Sequence, residues 1–248
     1  MKITDHTEPR VRIIEDFLDL DTCKFIVNFI NEKNLWRLAK ADPYHFKSLE
    51  FYRIFSKQWD ERKVDLNNIF ADESNKELMK ILWEIKEKAK LQVEDFFDKK
   101  NSKVFLEGWE VVRWFYPYMQ MPHIDYLEPD FDRKKDLPKD FDDTYLPEGG
   151  EEIYLSYNTT KHYTSMLYLN EDFKGGDLYF PFNKGFEIKP KRGMLVIFSG
   201  DFNTPHGVTQ ITDGTRYVHT AFWTRHPNNG YYVTDMIENG GFRKYWES

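Results

Sequence analysis

The chain has one cysteine, Cys23, among 248 residues, so no disulfide can form within it. A lone thiol fits a reducing setting and excludes the disulfide-stapled secreted scaffolds. Long apolar runs are lacking too. Nothing approaches the roughly 20 apolar residues of a membrane span. The opening "MKITDHTEPRVRIIEDF" holds no apolar stretch of signal-peptide length. The expectation is a soluble protein of the cytoplasm, or of another reducing compartment, with no membrane association. Repeats and low-complexity tracts are absent. So is any basic stripe: Lys and Arg number 35 against 42 Asp and Glu, a net charge of −7. Most of that deficit is local, because residues 127–152 contain ten acidic and four basic side chains. An acidic balance disfavours a phosphate-rich nucleic-acid partner.

What the chain has in quantity is aromatic and apolar side chains, 17% and 40% of residues. That is enough for a substantial core and favours sheet over a helical bundle. Residues 11–18, "VRIIEDFL", read as a short strand. Asp21 then stands as the N-cap of "TCKFIVNFINEKN", where Phe25, Ile26, Phe29 and Ile30 recur at helical spacing. Residues 35–72 read as loop with short helices. Residues 74–101 form a strongly amphipathic helix whose stripe is Leu78, Ile81, Leu82, Ile85, Ala89 and Val93. From Lys103 onward short β-branched and aromatic runs alternate with turn signals such as "KGGD" and "KRG".

The predicted architecture is therefore α+β, a double-stranded β-helix (jelly roll) core braced by N-terminal helices. It is one domain over 1–248. Residues 1–102 are mainly helical support, 103–226 the jelly roll, and 227–248 a C-terminal extension. An acidic insert at 127–160 interrupts the strands with Pro129, Pro138, Pro147 and Gly149–Gly150. A loop of that length serves as a lid or binding loop, or is a solvated excursion, and the two readings weigh equally here.

Within "QMPHIDYLEP" (120–129), His123 and Asp125 are two apart, so on a strand they face the same way. Taken alone, a His-x-Asp spacing is more often structural than metal-binding. His206 is the best third ligand, after the strand "MLVIFSGD" and the turn-prone "NTP". Two histidines and one carboxylate leave coordination positions open, as in non-haem Fe(II) oxygenases. Ten residues on, Arg216 offers a planar fork suited to a carboxylate. If Arg216 points inward, Val218, Thr220 and Phe222 do too, and His219 falls on the other face. His162, His219 and His226 are taken as structural or solvent-facing.

These features, in this order, resemble the 2-oxoglutarate- and Fe(II)-dependent dioxygenases of the prolyl 4-hydroxylase type. "YP" at 116–117 precedes "HID"; "YLNEDFKGGDLYFP" (168–181), "KPKRGMLVIF" (189–198) and "HGVTQITDGTRYVHTAFW" follow. Each motif is weak alone, but four in order are strong. The resemblance covers 103–224, about half the chain. It implies Fe(II) held by His123, Asp125 and His206. It implies 2-oxoglutarate held through its distal carboxylate by Arg216, with Tyr168 and Tyr116 lining the co-substrate pocket and Thr220 facing it. Trp223 is framework. Arg216 and the three ligands would form the catalytic set. O2 is the other co-substrate, and L-ascorbic acid binding is a further family property. The reaction implied is hydroxylation coupled to decarboxylation of 2-oxoglutarate to succinate.

Peptidyl proline is the default substrate, so a peptide or protein partner is expected. Another protein side chain or a small molecule is the alternative. The nucleic-acid demethylase branch has a second arginine six residues after the first, where this chain has Phe222. Other function classes are a non-redox zinc enzyme using the same triad and a jelly-roll binding module without chemistry. The first has no need of Arg216, and the intact ligand set argues against the second.

Overall fold

Residues 1–40, 50–55, 72–97, 103–126, 144–145, 153–154, 161–183 and 185–225 are described by a computed structural model. Helix α1 spans Leu20–Glu32 and α2 spans Lys76–Phe97. The strands are β1 (Lys2–Thr7), β2 (Arg10–Glu15), β3 (Arg37–Lys40), β4 (Glu50–Phe55), β5 (Phe105–Phe115), β6 (Gln120–His123), β7 (Thr144–Tyr145), β8 (Ile153–Tyr154), β9 (Tyr163–Tyr168), β10 (Leu178–Tyr179), β11 (Glu187–Ile188), β12 (Leu195–Ser199), β13 (His206–Val208) and β14 (Thr215–Thr224). They form an eight-stranded sheet, in the order β1-β2-β12-β9-β14-β5-β4-β3, and a six-stranded sheet, in the order β11-β10-β13-β6-β8-β7. Among the described residues every strand pairing is antiparallel except that of β6 with β8. The class is thus α+β, as expected from the sequence.

The central strands β9 and β12 of the large sheet are buried on both faces, and their side chains alternate accordingly. In β12, Leu195 and Ile197 join one core, while Val196 and Phe198 join the other. The first core lies under the helices. α1 contributes Cys23, Ile26 and Ile30 to it, and α2 contributes Leu78, Leu82, Ile85, Ala89, Val93 and Phe96. These positions follow the 3.6-residue period, and each large side chain so buried stabilises by roughly 1.5–3 kcal/mol. The second core lies between the sheets, where Val112, Met166, Tyr168 and Val218 meet Leu178, Phe180, Ile188 and Val208. Buried Arg12 ties β2 to α2, donating to Asp5 at 2.7 and 2.9 Å and to Asp95 at 2.6 Å. None of the helices among the described residues is long and apolar enough to cross a membrane.

Three local expectations change. Asp19, not Asp21, caps α1: its backbone is extended and its carboxylate accepts from the Thr22 amide at 2.8 Å. Asp21 sits in the first turn, where a negative charge suits the helix dipole. Residues 35–72 contain β3 and β4, which extend the large sheet at one edge. With β1 and β2 at the other edge, the N-terminal half supplies strands as well as helices. The long helix ends at Phe97 within the described residues, and a 3-10 turn at Glu73–Asn75 precedes it. Most of the acidic insert and the extension after 226 lie outside those residues; β7 and β8 add two short strands to the small sheet.

Candidate active site

His123 and His206 are register partners on the neighbouring strands β6 and β13 of the small sheet. Asp125 follows β6 and is drawn to the large sheet. Its amide and that of Tyr126 both donate to the Gly200 carbonyl, at 2.9 and 2.8 Å. The Thr164 hydroxyl on β9 donates to Asp125 Oδ2 at 2.6 Å. One ligand atom from each of His123, Asp125 and His206 lies within 4.8 Å of the others, and all three residues are buried.

The protonation of this cluster follows from its neighbours. His206 Nδ1 lies 3.2 Å from the Thr204 carbonyl, and His123 Nδ1 lies 3.0 Å from the Met121 carbonyl. A carbonyl only accepts, so each ring carries its proton on Nδ1 and turns the Nε2 lone pair inward. Each Nε2 then faces an Asp125 oxygen at 3.6 Å. Burial, reinforced by the charge of His123, lowers His206 to about 4, so it is neutral at pH 7. Burial alone would raise Asp125; its neighbours His123 and His206, with the charge of Lys161, outweigh it and hold the carboxyl below its ordinary range. Three lone-pair donors thus converge where a divalent cation can bind, the His123 Nε2 meanwhile accepting from the Gln120 side-chain amide at 3.0 Å. Two imidazoles and one carboxylate suit non-haem Fe(II) and leave positions open for other ligands.

Arg216 lies on the inner face of β14. It is fully buried, an expensive place for a guanidinium. Aromatic rings hold it: its Cζ is 4.6 Å from the centroid of Trp114, its cross-strand partner, and 5.0 Å from that of Tyr168. Nη2 donates to the Tyr168 hydroxyl at 3.5 Å, a long bond. Nε and Nη1 find no hydrogen-bond partner among the described residues. A buried cation with two unsatisfied donors is the complement of an anionic ligand with paired acceptors, a carboxylate. Gly176 makes room for it: a Cβ there would stand 3.0 Å from Arg216 Cδ, and its φ of +71° suits glycine.

The structure gathers His123, Asp125 and His206 into one cluster and sets Arg216 against Tyr168, with buried Thr220 two strand steps beyond Arg216. Tyr116 is not brought in: its side chain is 63% exposed, on the turn after β5. Tyr118 is the buried tyrosine there, stacked on Trp114 at 4.2 Å and within the electrostatic reach of Arg216. The Tyr118 amide bonds back to the Phe115 carbonyl, so the strand has ended and its alternation no longer tells which tyrosine turns inward. His219 lies on the other face, stacked on Trp109 at 5.5 Å, and His162 stacks on Tyr126 at 4.3 Å. Neither joins the metal cluster; His226 lies outside the described residues. Trp223 belongs to the helix-side core, in keeping with a framework role.

Comparison with known proteins bears on this geometry. Residues 118–225 match the family model described as the 2OG-Fe(II) oxygenase superfamily. Human prolyl 3-hydroxylase 2 is 30% identical over 156 residues, which is 60% of this chain but 20% of that protein. The chain therefore spans about a fifth of that relative's length. Among solved structures, the viral collagen prolyl hydroxylase of Paramecium Bursaria Chlorella virus-1, in its 2OG complex, aligns with a TM-score of 0.55 at 16% identity, covering 86% of this chain and 94% of that one. A Trichoplax adhaerens prolyl hydroxylase, in complex with a hypoxia inducible factor oxygen degradation domain peptide fragment, aligns with a TM-score of 0.52 at 16% identity, covering 88% and 84%. Residues 118–225 are thus similar to the 2OG-Fe(II) oxygenase superfamily, enzymes that use Fe(II), 2-oxoglutarate and O2, and the relatives and neighbours named here are prolyl hydroxylases.

Proposed function

We propose that this chain hydroxylates a prolyl residue of a peptide or protein, with His123, Asp125 and His206 holding Fe(II) and Arg216 holding the distal carboxylate of 2-oxoglutarate. The observation that carries this reading is the pairing of the triad with Arg216, whose Nε and Nη1 are buried without partners among the described residues. When bound, Fe(II), O2 and 2-oxoglutarate supply the oxidising chemistry, the last leaving as succinate and carbon dioxide while the substrate gains a hydroxyl group. The protein's tasks are orientation and water exclusion. His206 stays neutral and keeps its Nε2 lone pair available. Thr164 and the Gly200 carbonyl fix the Asp125 side chain and backbone, as outer-shell partners do.

Tyr168 supports the distal carboxylate through its hydroxyl. Tyr118 takes the co-substrate-lining place that the resemblance assigned to Tyr116, and Thr220 faces the same pocket. In this reading the two sheets are the faces of a double-stranded β-helix. The chain forms one catalytic domain. A zinc hydrolase could use the same triad, but it gives Arg216 no task.

Support for proline comes from the names of the relatives. The chain matches prolyl 3-hydroxylases by sequence, so hydroxylation at C3 is to be distinguished from the C4 position that the motif resemblance suggests. The test is turnover of a proline-containing peptide library with Fe(II) and 2-oxoglutarate, reading succinate and the addition of one oxygen atom, with fragmentation and NMR to place it. His206→Ala is expected to abolish succinate formation. Undiminished turnover by that variant would sink the assignment.

A further inference from the structure

The Arg216 pocket contains a third unused donor. Trp114 sits opposite Arg216 in the β5–β14 ladder, and its side chain is 94% buried, with 6% exposure. Its ring has two neighbours on its faces, the Arg216 guanidinium at 4.6 Å and the Tyr118 ring at 4.2 Å. Neither contact engages the indole N–H, which lies in the ring plane. Nε1 has no hydrogen-bond partner among the described residues. An indole nitrogen only donates, and a buried tryptophan ordinarily finds an acceptor.

Packing alone does not account for this choice of residue. Phenylalanine would stack on a guanidinium and on Tyr118 without leaving a buried N–H unsatisfied. Three buried N–H groups without partners among the described residues are thus carried by two side chains in contact: Arg216 Nε, Arg216 Nη1 and Trp114 Nε1. A carboxylate has two oxygens and about four acceptor sites, so it can take all three.

We infer that Trp114 is a binding residue for the co-substrate, its indole N–H donating to the distal carboxylate beside Arg216. The inference rests on the 2-oxoglutarate reading above and extends it. Arg216 supplies the charge, and Trp114 both fixes the guanidinium plane and adds a directional donor. A dicarboxylic 2-oxo acid is thereby selected over a monocarboxylic one by two residues rather than one.

The test is an anaerobic titration of the Fe(II)-loaded protein, following the visible absorbance of the chelate. Two ligands are compared. One is 2-oxoglutarate; the other is 2-oxopentanoate, which has a methyl group in place of the distal carboxylate. Trp114→Phe keeps the stacking and loses the N–H. It is expected to weaken 2-oxoglutarate by about 10- to 100-fold, the range for a hydrogen bond to a charged group, and to leave 2-oxopentanoate and Fe(II) binding unchanged. Equal weakening of both ligands, or unchanged 2-oxoglutarate affinity, overturns the inference. Should Trp114→Phe fail to fold, benzothienylalanine at position 114 keeps the bicyclic shape without the N–H, and the same pattern is expected. Failure of the unsubstituted protein to bind 2-oxoglutarate overturns the co-substrate reading and this inference together, which sets it apart from a failure confined to the variants.

Discussion

Replacing Arg216 by methionine should make the protein more stable on its own and remove most of the stabilisation that 2-oxoglutarate gives. Arg216 is fully buried, and burial lowers its affinity for its own proton. Its Nε and Nη1 are unsatisfied among the described residues, and its one hydrogen bond, to Tyr168, is 3.5 Å long. Each unsatisfied buried donor costs about 1–3 kcal/mol. Stacking between Trp114 and Tyr168 returns about 2 kcal/mol. An apolar side chain of similar length removes the penalty, so a gain of about 1–4 kcal/mol is expected, by analogy with buried ionic groups replaced by apolar ones. For a chain of this length each kcal/mol shifts Tm by about 2–4 °C. The other side of the comparison is the ligand. Loss of a desolvated guanidinium–carboxylate pair costs about 2–5 kcal/mol of binding. At 100 times its Kd, 2-oxoglutarate adds about 2.7 kcal/mol to wild-type stability and less than about 1 kcal/mol to the variant. The assay is thermal unfolding of both proteins with Fe(II), with and without 2-oxoglutarate, and the expected result is a higher Tm for the variant alone and a far smaller 2-oxoglutarate-induced rise in its Tm than in that of wild type. A methionine variant less stable than wild type without 2-oxoglutarate would show that Arg216 is a structural residue with satisfied contacts, and would refute the reasoning.

Three further outcomes are expected. His219 is pushed down to about 4 by burial, whereas an unfolded histidine titrates near 6.5. The unfolded chain therefore binds the extra proton first, and stability present above about pH 6.5 is lost as pH falls toward 4, by about 3 kcal/mol. His219→Phe, which keeps the stack on Trp109, should flatten that acid limb in urea titrations at pH 7, 6 and 5; an unchanged slope refutes it. Tyr118→Phe should raise the KM for 2-oxoglutarate several-fold, while Tyr116→Phe leaves kcat and KM as they are; the reverse pattern would restore the resemblance-based placement of Tyr116. Thr164→Val removes the 2.6 Å hydrogen bond to Asp125 and should weaken Fe(II) binding about 10- to 100-fold, measured against a competing chelator.

Much of this was legible because periodicity reports burial. β9, β12 and β14 and helix α2 are packed on two faces or along a continuous stripe, so their side chains had to be apolar where they are. β1 could not be seen in that way. It is an edge strand whose residues are almost all exposed, so no burial pattern is written into "KITDHT". β3 and β4 also lie at an edge, within a stretch that mixes charged and aromatic residues and reads as loop. Among the site residues, His123 and Asp125 were suggested by a strand-like spacing, and His206 and Arg216 by their order after it. Tyr116 was misplaced because a motif match transfers a name without the turn that orients it. Trp114 went unread, since one tryptophan in an aromatic strand differs from its neighbours only when the opposite strand is known to carry Arg216.

The division of the metal cluster between the sheets has a mechanical consequence. Two of its donors ride on the small sheet, while the third is anchored to Gly200 and Thr164, at the end of β12 and on β9 of the large one. An ion held by all three acts as a clasp across the sandwich. Any motion that parts the layers must stretch coordination bonds, whereas a shear that keeps His123, Asp125 and His206 in step leaves them intact. Metal loading would therefore restrict the opening motion selectively, and the freedom of the two layers to part would become a property of the ion as much as of the chain.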